Sequence, residues 1–192
     1  VKDLKKAIVD TTVMPKNIEF PTDSKLYNKA RERLVKLDAK HGINLRQNYN
    51  LISKTLLRKI SGYLHAKQMK RARKAIKHLR TIVGRVVRNV ERKINSSQKV
   101  GSSVNLSEIF EPILTQSKRL LAQERKDKNK LYSLHEPDVH CISKGKAHKR
   151  YEFGCKVSIA TTHKQGLVIG SHALPENPYD GHTLKPTLES AE

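Results

Sequence analysis

The stretch "KKAIVDTTVM", residues 5–14, is an apolar run carrying a single aspartate, Asp10. A carboxylate buried alone in such a run is costly, so it calls for a basic side chain, a backbone amide or a metal ion as partner. At the end of a central strand, aimed into a cleft, Asp10 would be an oxygen ligand for Mg2+. Phosphoryl chemistry places that hard cation on the scissile phosphate. The plain alternative is a strand-end aspartate that caps a turn or pairs with a lysine. One aspartate on one strand does not separate the two.

A second constellation is cationic. Lys67, Lys70, Arg71, Arg73, Lys74, Lys77, Arg80, Arg85 and Arg88 fall within about six helical turns. Such a face follows a phosphate backbone with salt-sensitive affinity. A charge run can also be a merely solvated face, but the scarcity of acids here favours binding. In "SKGKAHKRYEFG", Lys144, Lys146, His148, Lys149 and Arg150 precede Tyr151. They suit either phosphate contacts or an ordinary basic loop, and the stretch lacks the glycine-rich cradle of a P-loop.

"HEPDVHC" supplies metal-donor types in His135, Asp138, His140 and Cys141. Their spacing matches no zinc pattern, and a loop with exposed histidines is the preferred reading. Cys155 reads as a strand core residue and not as a nucleophile. Asp180, in "NPYDGHTL", reads as a helix cap.

Composition supports the cationic reading. The 192 residues hold 39 Lys+Arg against 18 Asp+Glu, a net charge of +21. Residues 1–23 are neutral in sum, residues 24–93 carry +18 and residues 94–192 carry +3. A localised excess of this size points to a polyanion, with nucleic acid the first candidate and an anionic membrane the second. No apolar run reaches the ~18–20 residues of a membrane span, and no signal peptide is visible. Two cysteines, Cys141 and Cys155, make no disulfide framework and suit a reducing cytoplasm. The opening Val1 and the closing "LKPTLESAE" read as the ends of a fragment.

The elements that must position these groups follow from local pattern. Ile8, Val9, Thr11, Thr12 and Val13 predict a strand over 6–14. A loop with Pro15 and Pro21 comes next, then a helix from about Ser24 to Lys40 ending at Gly42. Ile52, Leu56, Leu57, Ile60 and Leu64 share one helical face. Ile76, Leu79, Val83, Val86, Val87, Val90 and Ile94 share another, so two or three amphipathic helices are expected. "NSSQKVGSS" reads as a loop. "LSEIFEPILTQSKRLLAQERK" reads as a helix with Pro112 in its first turn or breaking it. "YEFGCKVSIATT" and "GLVIGSHAL" predict a hairpin across "THKQG", and a helix start is expected near His182.

Two stretches taken together resemble the DDE transposases of bacterial insertion sequences. They are "IVDTTVMPKNIEFPTDSKLYNKARERLVKL" and "LYSLHEPDVHCISKGKAHKRYEFGCKVSIATTHKQGLVIGSHALPENPYDGHTL". The resemblance implies an α/β fold, an incomplete RNase H-like core sheet interrupted by a basic all-helical insertion. It divides the chain into a first core strand and loop (1–23), the insertion (24–131), and the core hairpin with the start of a helix (132–192). It implies that Asp10 is the first catalytic, metal-binding carboxylate of a parent enzyme that cuts and joins DNA with Mg2+. The second Asp and the Glu of that family have no match here, because the contexts of Asp180 and Glu192 differ. Two Mg2+ ions need several carboxylates around them, so the chain itself is expected to bind DNA without transposing it. A homo-oligomeric parent and a bacterial, nucleoid-associated cytoplasmic location are implied too. Two alternatives stand beside this: a non-catalytic nucleic-acid-binding protein using only the basic helices, and a metal-binding structural domain through His135, Asp138 and His140.

Overall fold

The structure is a computed structural model that describes residues 6–99, 105–143, 145, 148 and 150–191. Its element order is β1 (Ala7–Pro15), α1 (Asp23–His41), α2 (Asn50–His65), α3 (Met69–Lys99), α4 (Leu106–Ala122), β2 (His140–Ser143), β3 (Tyr151–Thr162), β4 (Val168–Leu174), a 3-10 turn (Asp180–His182) and α5 (Leu184–Glu189). The chain mixes helix with one antiparallel sheet and divides into two compact units. One runs from Phe20 to His135; the other joins the described residues up to Glu19 with those from Glu136 onward. The divisions fall a few residues from the 23/24 and 131/132 boundaries expected from sequence.

In the sheet unit, β3 is the centre. It pairs antiparallel with β1 along one edge, from Ala7 opposite Thr162 to Pro15 opposite Gly154. Its other edge is shared by β2, facing Tyr151–Gly154, and β4, facing Lys156–Thr161. The hairpin between β3 and β4 turns through Gly166, whose φ of 65° is in the left-handed region open to glycine. The Gly166 N–H donates to the Thr162 carbonyl at 3.1 Å. β2 is a correction: "HEPDVHC" was expected to be loop throughout, yet His140 and Cys141 begin a strand. Register with β3, a long-range effect, decides it. Gly154 is crowded, since a Cβ there would lie 2.1 Å from the Met14 carbonyl oxygen.

The helical unit has its own core. α1 starts at an N-cap, Thr22, whose hydroxyl accepts from the Lys25 N–H, and ends at Gly42 in the left-handed region. α3 spans about 46 Å and packs against α1, α2 and α4. Leu79, Ile82, Val83, Val86, Val87, Val90 and Ile94 are buried along it, as the 3.6-residue period requires. α2 departs from the pattern. Leu56 and Ile60 are buried, but Ile52 and Leu64 are exposed, so its apolar face is narrower than the sequence suggests.

Two further expectations change. The "NSSQKVGSS" loop does not begin at Asn95, because α3 continues to Lys99; Ile94 is still buried and the Ser96 hydroxyl donates back to the Arg92 carbonyl. Pro112 neither starts nor breaks α4 but lies inside it. It and Glu108, whose carbonyl loses its N–H partner, are on the exposed side, where water can satisfy that oxygen.

The most demanding side chain is Arg31, which is 1% exposed. Its guanidinium donates to Asn28 Oδ1 at 3.2 Å and 3.4 Å, to the Asn48 carbonyl at 3.1 Å, to Asn50 Oδ1, and to Glu32 Oε1 at 3.2 Å. Burial holds the Arg31 pKa below its ordinary value, and Glu32 partly offsets this. From the other side Lys93 Nζ donates to the carbonyls of Ile43 at 3.1 Å and Asn44 at 2.6 Å. The 42–49 connection is therefore tied down by two cations from two helices. Arg31→Ala would remove the guanidinium that ties buried Asn28 to Asn48 and Asn50, and we expect a loss of about 3 kcal/mol in urea unfolding. Gly154→Ala should destabilise the sheet unit through its clash with Met14, read as faster amide exchange across β1.

Candidate functional site

Alternation along β1 places Asp10 and Thr11 on opposite faces of the sheet. Asp10 is exposed and its Oδ1 accepts the Thr11 N–H at 2.8 Å. A carboxylate buried in an apolar strand was the premise of the sequence reading; the structure corrects it. Water and one backbone amide solvate Asp10, because its side of the sheet is open, with Ile8 48% and Met14 60% exposed.

The other face is covered and holds a polar cluster that sequence reasoning missed. Lys156 is buried, and its Nζ lies 2.5 Å from Asp180 Oδ1 and donates to the Pro178 carbonyl at 2.6 Å. The Thr11 hydroxyl donates to the same Asp180 oxygen at 2.8 Å. Gly170 on β4 lies under the chain after α5, where a Cβ would come within 2.9 Å of Ser190 Oγ and Ala191 Cβ. Asp180 therefore anchors the segment before α5 to the sheet. It opens the 3-10 turn, and Thr183 stands at the N-cap of α5, so the helix-cap expectation is replaced by a long-range ion pair. The only local hint was a lysine at an inward position of β3, legible once strand parity is known.

Asp10 and Asp180 are thus separated by the sheet. Among the described residues, no group of three His, Cys, Asp or Glu side chains is placed to hold a metal ion. The residues present do not complete a two-metal site. Asp138 and His135 are exposed, and His135 Nδ1 is 2.9 Å from Ser133 Oγ. Cys155 Sγ approaches the Asp138 carbonyl at 3.9 Å, and the two cysteines form no disulfide.

The cationic residues have divided duties. Lys70, Arg71, Arg73, Lys74, Lys77, Arg85 and Arg88 are exposed on α3. Lys67 is not helical; it occupies the turn between α2 and α3 with a φ of 55°. Arg80 reaches the Leu121 carbonyl at the end of α4, so it closes a helix terminus as well as presenting charge. Arg92, four residues beyond Arg88, belongs with the exposed set; its helical spacing was legible. Arg150 stacks over the Tyr151 ring at 5.4 Å, and His148 is exposed. Lys144, Lys146 and Lys149 lie outside the described residues. Among the described residues no helix is long and apolar enough to cross a membrane.

No family model matches the chain, and no solved structure matches it. A protein of Rhizobium meliloti described as "Uncharacterized protein ORF8 in nfe locus" is 48% identical over 67 residues. The match covers 35% of this chain and 32% of that protein, so the chain spans about a third of the relative it matches.

Lys156→Met would leave Asp180 and the Pro178 carbonyl without their cation. A loss of about 2 kcal/mol is expected, with faster amide exchange at 176–183 and unchanged exchange in the helical unit.

Proposed function

We propose that this chain is a DNA-binding portion of an insertion-sequence transposase, with a strand-borne carboxylate, Asp10, inherited from an RNase H-like core. The observation that carries the reading is the antiparallel run β1–β3–β4. It puts Asp10 on the first strand of the sheet that also contains the later hairpin, although the helical unit intervenes in sequence. That is the connectivity the resemblance implies. The helical unit supports the DNA-binding part, since α3 presents an exposed cationic face over most of its length. Phosphate contact there would release counterions and make affinity fall steeply with salt.

The placement of Asp10 and Asp180 on opposite sheet faces favours binding without cleavage for the residues at hand. In the parent enzyme Mg2+ would supply charge neutralisation at the scissile phosphate. Here Asp10 alone does not gather it. A non-catalytic nucleic-acid-binding protein is the second reading, favoured by the same lack of a metal-holding group among the described residues.

The purified chain should retain duplex DNA in a mobility-shift assay with little sequence preference, and release it steeply as salt rises. It should not nick transposon-end DNA with Mg2+, and Asp10→Asn should leave binding unchanged. Mg2+-dependent nicking that survived Asp10→Asn would remove Asp10 from the site. Failure to bind any duplex would remove the DNA reading itself.

A further inference from the structure

We propose that a cleft between the 46–49 segment and the C-terminal half of α3 grips phosphodiester groups of a nucleic-acid backbone. The proposal rests on the DNA-binding reading and gives it an address. The cleft has a volume of about 370 Å³ and is lined by Arg46, Arg85, Arg88 and Arg92, with Gln47 and Asn89 between them. Arg85, Arg88 and Arg92 lie at helical spacing on one side of α3; Arg46 comes from the connection between α1 and α2.

Three features make this a built site. First, no carboxylate lines the cleft, and among the described residues none pairs with Arg46, Arg85 or Arg88. Four guanidinium groups around one small space repel each other, and an anion relieves that repulsion. Second, the wall carrying Arg46 is held in place. Arg31 grips Asn48 and Asn50, and Lys93 grips Ile43 and Asn44, so the segment that carries Arg46 is ordered before a ligand arrives. Third, Gly84 is buried beneath Arg88 and, lacking a Cβ, leaves room for that guanidinium to fold back. A Cβ there would sit 3.2 Å from Arg88 Nη1.

The adjoining, larger depression gives a contrast. It shares Arg88 and Arg92 but also contains Glu91 and Glu111, and Glu91 pairs with Lys118 at 2.6 Å. Its acids oppose an anion, so the arginine cleft is the phosphate position. The planar guanidinium fork matches phosphate oxygens in pairs, and Gln47 and Asn89 add neutral donors.

The test measures binding of a labelled random-sequence duplex to the full chain across a salt series. It compares Arg85→Ala/Arg88→Ala with Arg73→Ala/Lys74→Ala, which removes the same charge from the other half of α3. All four residues are exposed. The cleft pair should weaken binding roughly tenfold and flatten the log-affinity against log-salt slope by about 1.8; the control pair should cost several-fold less. Equal losses in the two variants would overturn the cleft while leaving DNA binding standing. No binding by the unaltered chain would overturn both. A further arm adds inorganic pyrophosphate. Displacement of DNA by low pyrophosphate, lost in the cleft variant, would identify a free-polyphosphate site and overturn the backbone assignment; indifference to it supports the backbone.

Discussion

The β1–β3 pairing is the interaction on which the sheet unit depends. Ile8 and Thr161 are direct partners although 153 residues apart. Among the described residues β3 supplies the ladder of β1, a nine-residue strand. The long closure is tolerable because loop entropy grows slowly with length, about 0.6 kcal/mol for each doubling. The intervening residues also fold on their own core, which leaves less chain to order when the strands meet. Gly154 marks how closely the strands approach where the pairing ends.

Within the helical unit, buried cations perform a similar task at shorter range. A guanidinium with 1% exposure is desolvated, and its hydrogen bonds to three asparagines make that burial tolerable. Arg31 and Lys93 thereby order a connection that includes two left-handed non-glycine residues, Asn44 and Tyr49. Such backbone conformations persist when surrounding contacts over-determine them. The cationic surface follows from that order. Some of the charge is structural, as at Arg31, Arg80 and Lys93, and much of the rest is exposed along α3. Net charge alone does not distinguish these roles; acceptor carbonyls do.

Much of the fold was legible because its signals are local and periodic. The apolar stripe of α3, the caps of α1 at Thr22 and Gly42, and the β3–β4 hairpin around Gly166 all follow from nearest-neighbour chemistry. The misses share one cause. β2 exists because β3 offers it an edge, α3 outlasts its polar tail because Ile94 is buried, and Pro112 survives inside α4 because its side faces water. Each depends on what lies across space, which no window of sequence contains.

The candidate site divides in the same way. Sequence alone determined that Asp10 sits on an opening strand, that cations crowd residues 24–93, and that Arg85, Arg88 and Arg92 share a helical side. These are matters of residue type and period. Only the tertiary structure decided that Asp10 faces solvent while Asp180 pairs with Lys156 through the opposite face. It alone brought Arg46 to the arginines of α3. The physical reason is that strand parity and loop position are set by register and by buried hydrogen bonds, and both are properties of the assembled chain.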